Sequence, residues 1–252
     1  MTQWFSSLDL TSATTLLVDA DGTLFPSEEP AYEASADVTN KFLAQLGAER
    51  SYEPAELQKL TNGKNFRAAA AELAQLYGRT LADADLDRWV QEEKDVVTEH
   101  LKKVLGPDPR VLEPVAALSV SYVLAAVTSS AASRLDACLA VTGLAPMFAP
   151  ERRFSAEDSL PRPTSKPDPA VYVLAGQRLD VASHHAVAIE DSVNGALSAV
   201  HAGYPTIGTV QFVAPHEQAE RTEALRAAGV AAVVKSWQEL AEIFADSSPA
   251  RA

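Results

Sequence analysis

The chain has a single cysteine, Cys138, so no disulfide can form within it, and a reducing cytoplasmic setting is the simplest expectation. No apolar run reaches the ~20 residues that a bilayer-spanning helix needs. The opening MTQWFSSLDLTS has no basic stretch followed by an apolar one, so no secretory signal is expected. Positive charge is scarce: 21 Lys and Arg stand against 34 Asp and Glu, a net charge of −13. That balance argues against nucleic acid or an anionic membrane as a partner held by bulk charge. It is compatible with a small anionic substrate, because a pocket needs only one local cation or metal. What is present is ordinary for a soluble globular protein, 47% hydrophobic and 22% charged residues. At 252 residues the chain suits one large domain, or a core with a smaller domain inserted.

Leu16 to Asp19 read as a buried strand. From Glu28 to Leu105 the texture changes to Ala, Leu, Glu and Gln, with almost no β-branched runs. AELQKLTNG, KNFRAAAAELAQLYG and TLADADLDRWVQEEKDVVTEHLKKVLG read as helices closed by Gly63, Gly78 and Gly106. In the last, Leu86, Trp89, Val90, Val97, Leu101 and Val104 form an expected inward stripe. After Gly106 short apolar runs alternate with helical patterns. Tyr122–Val127, Ala186–Ile189, PTIGTV and AAVVK read as strands, and AASRLDACLAVTGL, SVNGALSAVHAG, residues 214–229 and WQELAEIF as helices. The tail from Asp246 to Ala252 reads as disordered. This alternation predicts a parallel α/β sheet with right-handed crossovers, into which the helical stretch is inserted.

Three of the strand-like runs end in chemistry-bearing residues: Asp19 and Asp21 after the first, Thr128 and Ser129 after the second, Glu190 and Asp191 after a third. In PTSKPDPAVY, Lys166 stands just before a helix that Pro167 or Pro169 would start. Open parallel sheets bind ligands outside the carboxyl ends of their strands, so neighbouring strands would bring these groups to one edge. Clustered carboxylates favour a hard cation with oxygen ligands, of which Mg²⁺ is the usual choice. A lysine and hydroxyls suit a phosphate. A carboxylate there can attack phosphorus as a nucleophile, and a second carboxyl two residues on can serve as general acid, then base. Gly22 permits close backbone approach in the intervening turn.

DADGTL (19–24), Thr128, Lys166 in SKPDP, and IEDSVNGALSAVHAG (189–203) resemble, in order and spacing, the four motifs of the haloacid dehalogenase superfamily. The helical insertion after the first motif is similar to the cap of its phosphatase-like branch. The resemblance implies a Rossmann-like core over 1–24 and 106–252 and a helical cap over 25–105. It implies Asp19 as nucleophile, Asp21 as acid/base, Thr128 as a hydrogen-bond partner of the phosphoryl oxygen, and Lys166 as the group holding nucleophile and phosphate together. Mg²⁺ would be bound by Asp19, Asp191 and the Asp21 carbonyl, with Glu190 as a further or outer ligand and Ser192 and Asn194 nearby. The activity implied is a Mg²⁺-dependent phosphatase acting on a small phosphorylated metabolite, a sugar or polyol phosphate.

Two alternatives share the motifs: a sugar-phosphate mutase of the β-phosphoglucomutase type and a catalytically silent binding protein. The linker FPSEEPAYE lacks the histidine common in such mutases, and Pro26-Ser27 replaces an Asp-Ser pair seen in many relatives. The intact set of Asp19, Asp21, Lys166 and Asp191 speaks against silence. Nothing marks Lys41 or Lys64 as a Schiff-base lysine of the phosphonate-cleaving kind. Lys64 and Arg67, after Asn62-Gly63, sit where related caps present specificity residues; with Ser129 they are the candidate substrate contacts. An EF-hand reading of Asp-Ala-Asp-Gly fails for lack of the remaining ligands. His184-His185 open an apolar run at the end away from the acids and are not expected to bind metal. Cys138 is expected to pack as a small core residue.

Overall fold

A computed structural model describes residues 2–61 and 65–247. In chain order the elements are β1 (Gln3–Trp4), β2 (Thr15–Val18), α1 (Glu28–Gln45), α2 (Pro54–Thr61), α3 (Phe66–Leu76), α4 (Asp83–Val104), α5 (Pro109–Ser119), β3 (Val123–Thr128), α6 (Ala132–Val141) and β4 (Arg153–Ser155). There follow α7 (Ala170–Leu179), β5 (Ala186–Glu190), α8 (Val193–His201), β6 (Thr206–Thr209), α9 (Gln218–Ala227), β7 (Ala232–Val234) and α10 (Trp237–Ser247). The chain divides into two compact units, residues 1–26 with 106–252, and residues 27–105. Among the described residues, no helix is long and apolar enough to cross a membrane.

The first unit is built on a seven-stranded sheet in the order β1-β7-β6-β5-β2-β3-β4. Every neighbouring pair is parallel except β1 with β7. The central strands TLLV, VLAAVT and AVAIE are buried almost throughout, as strands covered on both faces require. Their register aligns the strand ends, with Val18 opposite both Ala126 and Ile189. The residues just beyond β2, β3 and β5 therefore emerge side by side. Phe25 belongs to this unit because its carbonyl accepts the Gly22 N–H at 2.9 Å, closing the turn after β2, and its ring is buried.

Several elements differ from the sequence reading. α5 lies in a stretch to which the sequence reading assigns no element: its buried positions Val111, Pro114, Val115 and Leu118 keep a helical spacing, but Pro114 inside the helix reads as a breaker. β1 and β4 are only two and three residues long, too short for alternation to register. α9 starts at Gln218, four residues after Ala214, and α10 runs on to Ser247. Gly63 and the last residues of the tail lie outside the described residues.

The second unit has its own core, with Val38, Phe42, Leu43, Leu57, Leu73 and Trp89 buried together. Phe42 and Trp89 meet edge to face at 5.5 Å between centroids. Asn65 caps α3 by accepting the Ala68 N–H at 2.9 Å. The stripe on α4 is corrected at two places: Val104 is 50% exposed, because the helix stops there, and Glu93 is buried between Trp89 and Val97.

Candidate active site

Asp19 follows β2, whose neighbours β3 and β5 flank it, and its N–H is tied to the Ile189 carbonyl at 3.0 Å. Asp19 is buried, and its carboxylate accepts from Lys166 Nζ at 2.5 Å. The same ammonium donates to Glu190 Oε1 at 2.7 Å and to the Val127 carbonyl at 2.8 Å. All three of its hydrogens thus have protein acceptors, so what Lys166 offers a phosphoryl group is its charge. Lys166 leads into α7, with Pro169 as the N-cap residue of that helix. Ser129 Oγ accepts the Lys166 N–H at 3.1 Å, so Ser129 holds this segment by its backbone.

Asp21 lies on the turn, where Gly22 takes a φ of 80°, a conformation that disfavours side chains with a Cβ. Ser130 Oγ donates to Asp21 Oδ2 at 2.8 Å, and Thr128 Oγ1 approaches the same oxygen at 3.4 Å. Asp191 Oδ1 accepts from Thr23 Oγ1 at 3.2 Å. Trp237 Nε1 in turn donates to the Thr23 carbonyl at 2.9 Å. Arg221 on α9 donates to the Asp191 carbonyl at 2.9 Å, its Nη1 3.6 Å from Oδ2. Ser192 caps α8 by accepting the Gly195 N–H at 3.0 Å, with Asn194 in the first turn of that helix.

Glu190 is enclosed. Tyr172 Oη donates to Oε1 at 2.5 Å, beside the Lys166 bond. Oε2 is buried with no hydrogen-bond partner among the described residues. Burial raises the pKa of Glu190 to about 8, with help from the Asp19 charge and against the pull of Lys166. Burial also raises Asp19, opposed by Lys166. Burial alone would lower Lys166, but Asp19 and Glu190 outweigh it and raise the pKa of the ammonium. Tyr172 is raised well above its ordinary value by burial and by Glu190.

These residues fit a hard cation. Asp19, Glu190 and Asp191 each offer a carboxylate oxygen within 4.8 Å of the others, and all three are buried. The donors are oxygens only, which suits Mg²⁺ or Ca²⁺ over softer metals. The orphaned Oε2 and the acidic excess over Lys166 and Arg221 call for positive charge. Two glycines make room: a Cβ at Gly22 would overlap Asp191 Oδ2, and one at Gly195 would overlap Glu190 Oε2.

The structure thus brings Asp19, Asp21, Thr128, Lys166, Glu190 and Asp191 to one edge. Arg67 lies in the second unit, where its guanidinium pairs with Asp87. Lys64 lies outside the described residues. His184 and His185 sit in a short 3-10 turn before β5, exposed, with ring centroids 4.1 Å apart and the rings tilted at 59°. Cys138 is buried on α6, its thiol pushed up to about 12 by burial. Ser130, Tyr172, Arg221 and Trp237 escaped the sequence reading. Only Ser130, adjacent to the Thr128-Ser129 pair, carried a signal.

The family model for haloacid dehalogenase-like hydrolase matches residues 13–203. Among solved structures, a HAD family hydrolase from Deinococcus radiodurans with bound phosphate and sodium is 25% identical, with a TM-score of 0.64 over 94% of this chain and 97% of that one. A putative phosphoglycolate phosphatase from Lactobacillus plantarum is 25% identical, with a TM-score of 0.69 over 92% and 99%. A putative β-phosphoglucomutase from Thermotoga maritima is 24% identical, with a TM-score of 0.65 over 92% and 99%. No curated protein sequence matches the chain.

Proposed function

The chain belongs to the haloacid dehalogenase-like hydrolase family, and we propose that within it this protein is a Mg²⁺-dependent phosphatase of a small phosphorylated metabolite, a sugar or polyol phosphate. The observation that carries the proposal is the meeting of Asp19, Lys166, Glu190 and Asp191 beyond the adjacent strands β2, β3 and β5. Phosphate bound to the 25% identical Deinococcus relative supports the substrate class. The single buried Cys138 accords with a reducing cytoplasm.

In the proposed reaction the Asp19 carboxylate attacks phosphorus. The bond from phosphorus to the ester oxygen breaks, and the Asp21 carboxyl gives its proton to the leaving oxygen. Water then attacks the aspartyl-phosphate, surrenders a proton to the Asp21 carboxylate, and Asp19 departs as free carboxylate with inorganic phosphate released. Ser130 and Thr128 fix the Asp21 carboxyl for both transfers. Lys166 holds Asp19 and adds positive charge near the phosphoryl oxygens. Asp19, Asp191 and Glu190, with the Asp21 backbone carbonyl, would hold Mg²⁺, which when bound neutralises charge on the phosphoryl group. The unit built on the seven-stranded sheet carries this chemistry.

The test is phosphate release over a panel of sugar, polyol and nucleotide monophosphates, with and without Mg²⁺. The proposal expects Mg²⁺-dependent release from at least one compound and none from Asp19→Asn. No release from any compound, or full release by Asp19→Asn, would overturn it. Isomer formation from β-glucose 1-phosphate faster than phosphate release would assign the mutase reaction instead.

A further inference from the structure

Arg221 lies on α9, beyond residue 203, where the family match ends. The fold nevertheless places it against a residue of the acidic cluster. Nη1 donates to the backbone carbonyl of Asp191 at 2.9 Å, which anchors the guanidinium. From there it stands 3.6 Å from Asp191 Oδ2, a second acceptor beyond hydrogen-bond length but well within Coulombic reach. The other cation of the site, Lys166, is engaged by Asp19, Glu190 and the Val127 carbonyl. Asp19 therefore faces the ammonium of Lys166 and Asp191 the guanidinium of Arg221.

We propose that Arg221 is the counter-charge of Asp191 and weakens the grip of that carboxylate on a divalent cation, keeping the cation exchangeable. The inference rests on the reading of Asp19, Glu190 and Asp191 as a cation site. A guanidinium carries a fixed positive charge, so it opposes a divalent ion on the same carboxylate at every working pH. Its side chain is 33% exposed, so water screens the repulsion without abolishing it. Arg221 is a positioning residue in this account, because it acts through Asp191. A purely structural role, tying α9 to the segment after β5, would follow the hydrogen bond to the carbonyl and ignore the charge.

The test measures Mn²⁺ affinity of the full chain, stripped of metal by a chelator, from the spectroscopic signal of free Mn²⁺. Arg221→Met removes the charge and the donor. Arg221→Gln removes the charge but keeps a donor for the Asp191 carbonyl, and it decides alone if Arg221→Met does not fold. Arg221→Lys keeps the charge. The two neutral variants are expected to bind Mn²⁺ about tenfold tighter than wild type, with Arg221→Lys within about twofold of it and Asp191→Asn about tenfold weaker. Neutral variants that bind no tighter than wild type would overturn the counter-charge role and leave the cation site standing. Absence of Mn²⁺ binding by wild type, or unchanged binding by Asp191→Asn, would overturn both.

Discussion

Replacing Gly195 by alanine puts a methyl group where Glu190 Oε2 already lies. The backbone at this position does not have positive φ, so the substitution is not opposed by conformation, only by space. Relief by a swing of the carboxylate is costly, because Oε1 is pinned by Tyr172 at 2.5 Å and by Lys166 at 2.7 Å. Moving Glu190 breaks both bonds and loosens Lys166 from one of its acceptors. Losing two charge-assisted bonds costs about 3–6 kcal/mol. The better helix propensity of alanine in α8 offsets at most about 1 kcal/mol, leaving a net loss of about 2–5 kcal/mol. Gly106 is the control: a Cβ there meets nothing within 4 Å and its φ is not positive. Gly106→Ala should be neutral or stabilising by about 0.4–1 kcal/mol. Urea unfolding of both variants supplies the stabilities, and phosphate release reports on Lys166. A Gly195→Ala protein as stable and as active as wild type would refute the enclosure of Glu190.

Two other outcomes are expected from particular bonds. Trp237→Phe keeps a ring in its buried place but leaves the Thr23 carbonyl without its 2.9 Å donor, which should cost about 1–3 kcal/mol in urea unfolding. Because Thr23 also bonds Asp191, phosphate release should fall in the folded variant; unchanged stability and rate would contradict this. Asp108 caps α5 through the Arg110 N–H, and the hydrogen bond from the Arg110 side chain lowers its pKa despite partial burial. A lowered folded-state pKa means stability that is present above the unfolded value, about 3.9, and lost as pH falls through the folded one. Asp108→Ala should therefore cost about 1 kcal/mol at neutral pH, and the gap should narrow in acid. A gap that stays constant from neutrality to pH about 3 would count against the assignment.

The acids were legible because apolar, strand-like runs end in them and open parallel sheets bind ligands at that edge, whereas Lys166, in the loop PTSKPDP, was legible only by its place among the four motifs. Asp19, Thr128 and Glu190 emerge together because Val18 is in register with both Ala126 and Ile189. The partners of these groups were illegible for equally physical reasons. Tyr172 occupies a buried helical position, where an aromatic reads as packing, and only the α7 approach to β5 reveals its bond to Glu190. Arg221 sits in the charge-rich helix QAERTEALRA, where it looks like one more solvated cation. Ser129 and Ser130 are neighbours in one turn, and no periodicity tells which hydroxyl reaches Asp21 and which holds Lys166. Val104 fits the stripe of α4 by spacing yet falls at the last residue of the helix, where the packed face ends.

The central claim is that the Asp19 carboxylate bonds to phosphorus. Wild-type protein can be mixed with a turned-over phosphomonoester and Mg²⁺, quenched in acid during steady state, digested and examined by mass spectrometry. The account predicts a phosphoryl group on the peptide bearing Asp19, absent from the Asp19→Asn protein. A phosphoryl group on another peptide, or active turnover with no protein-bound phosphoryl group at any quench time, would contradict it.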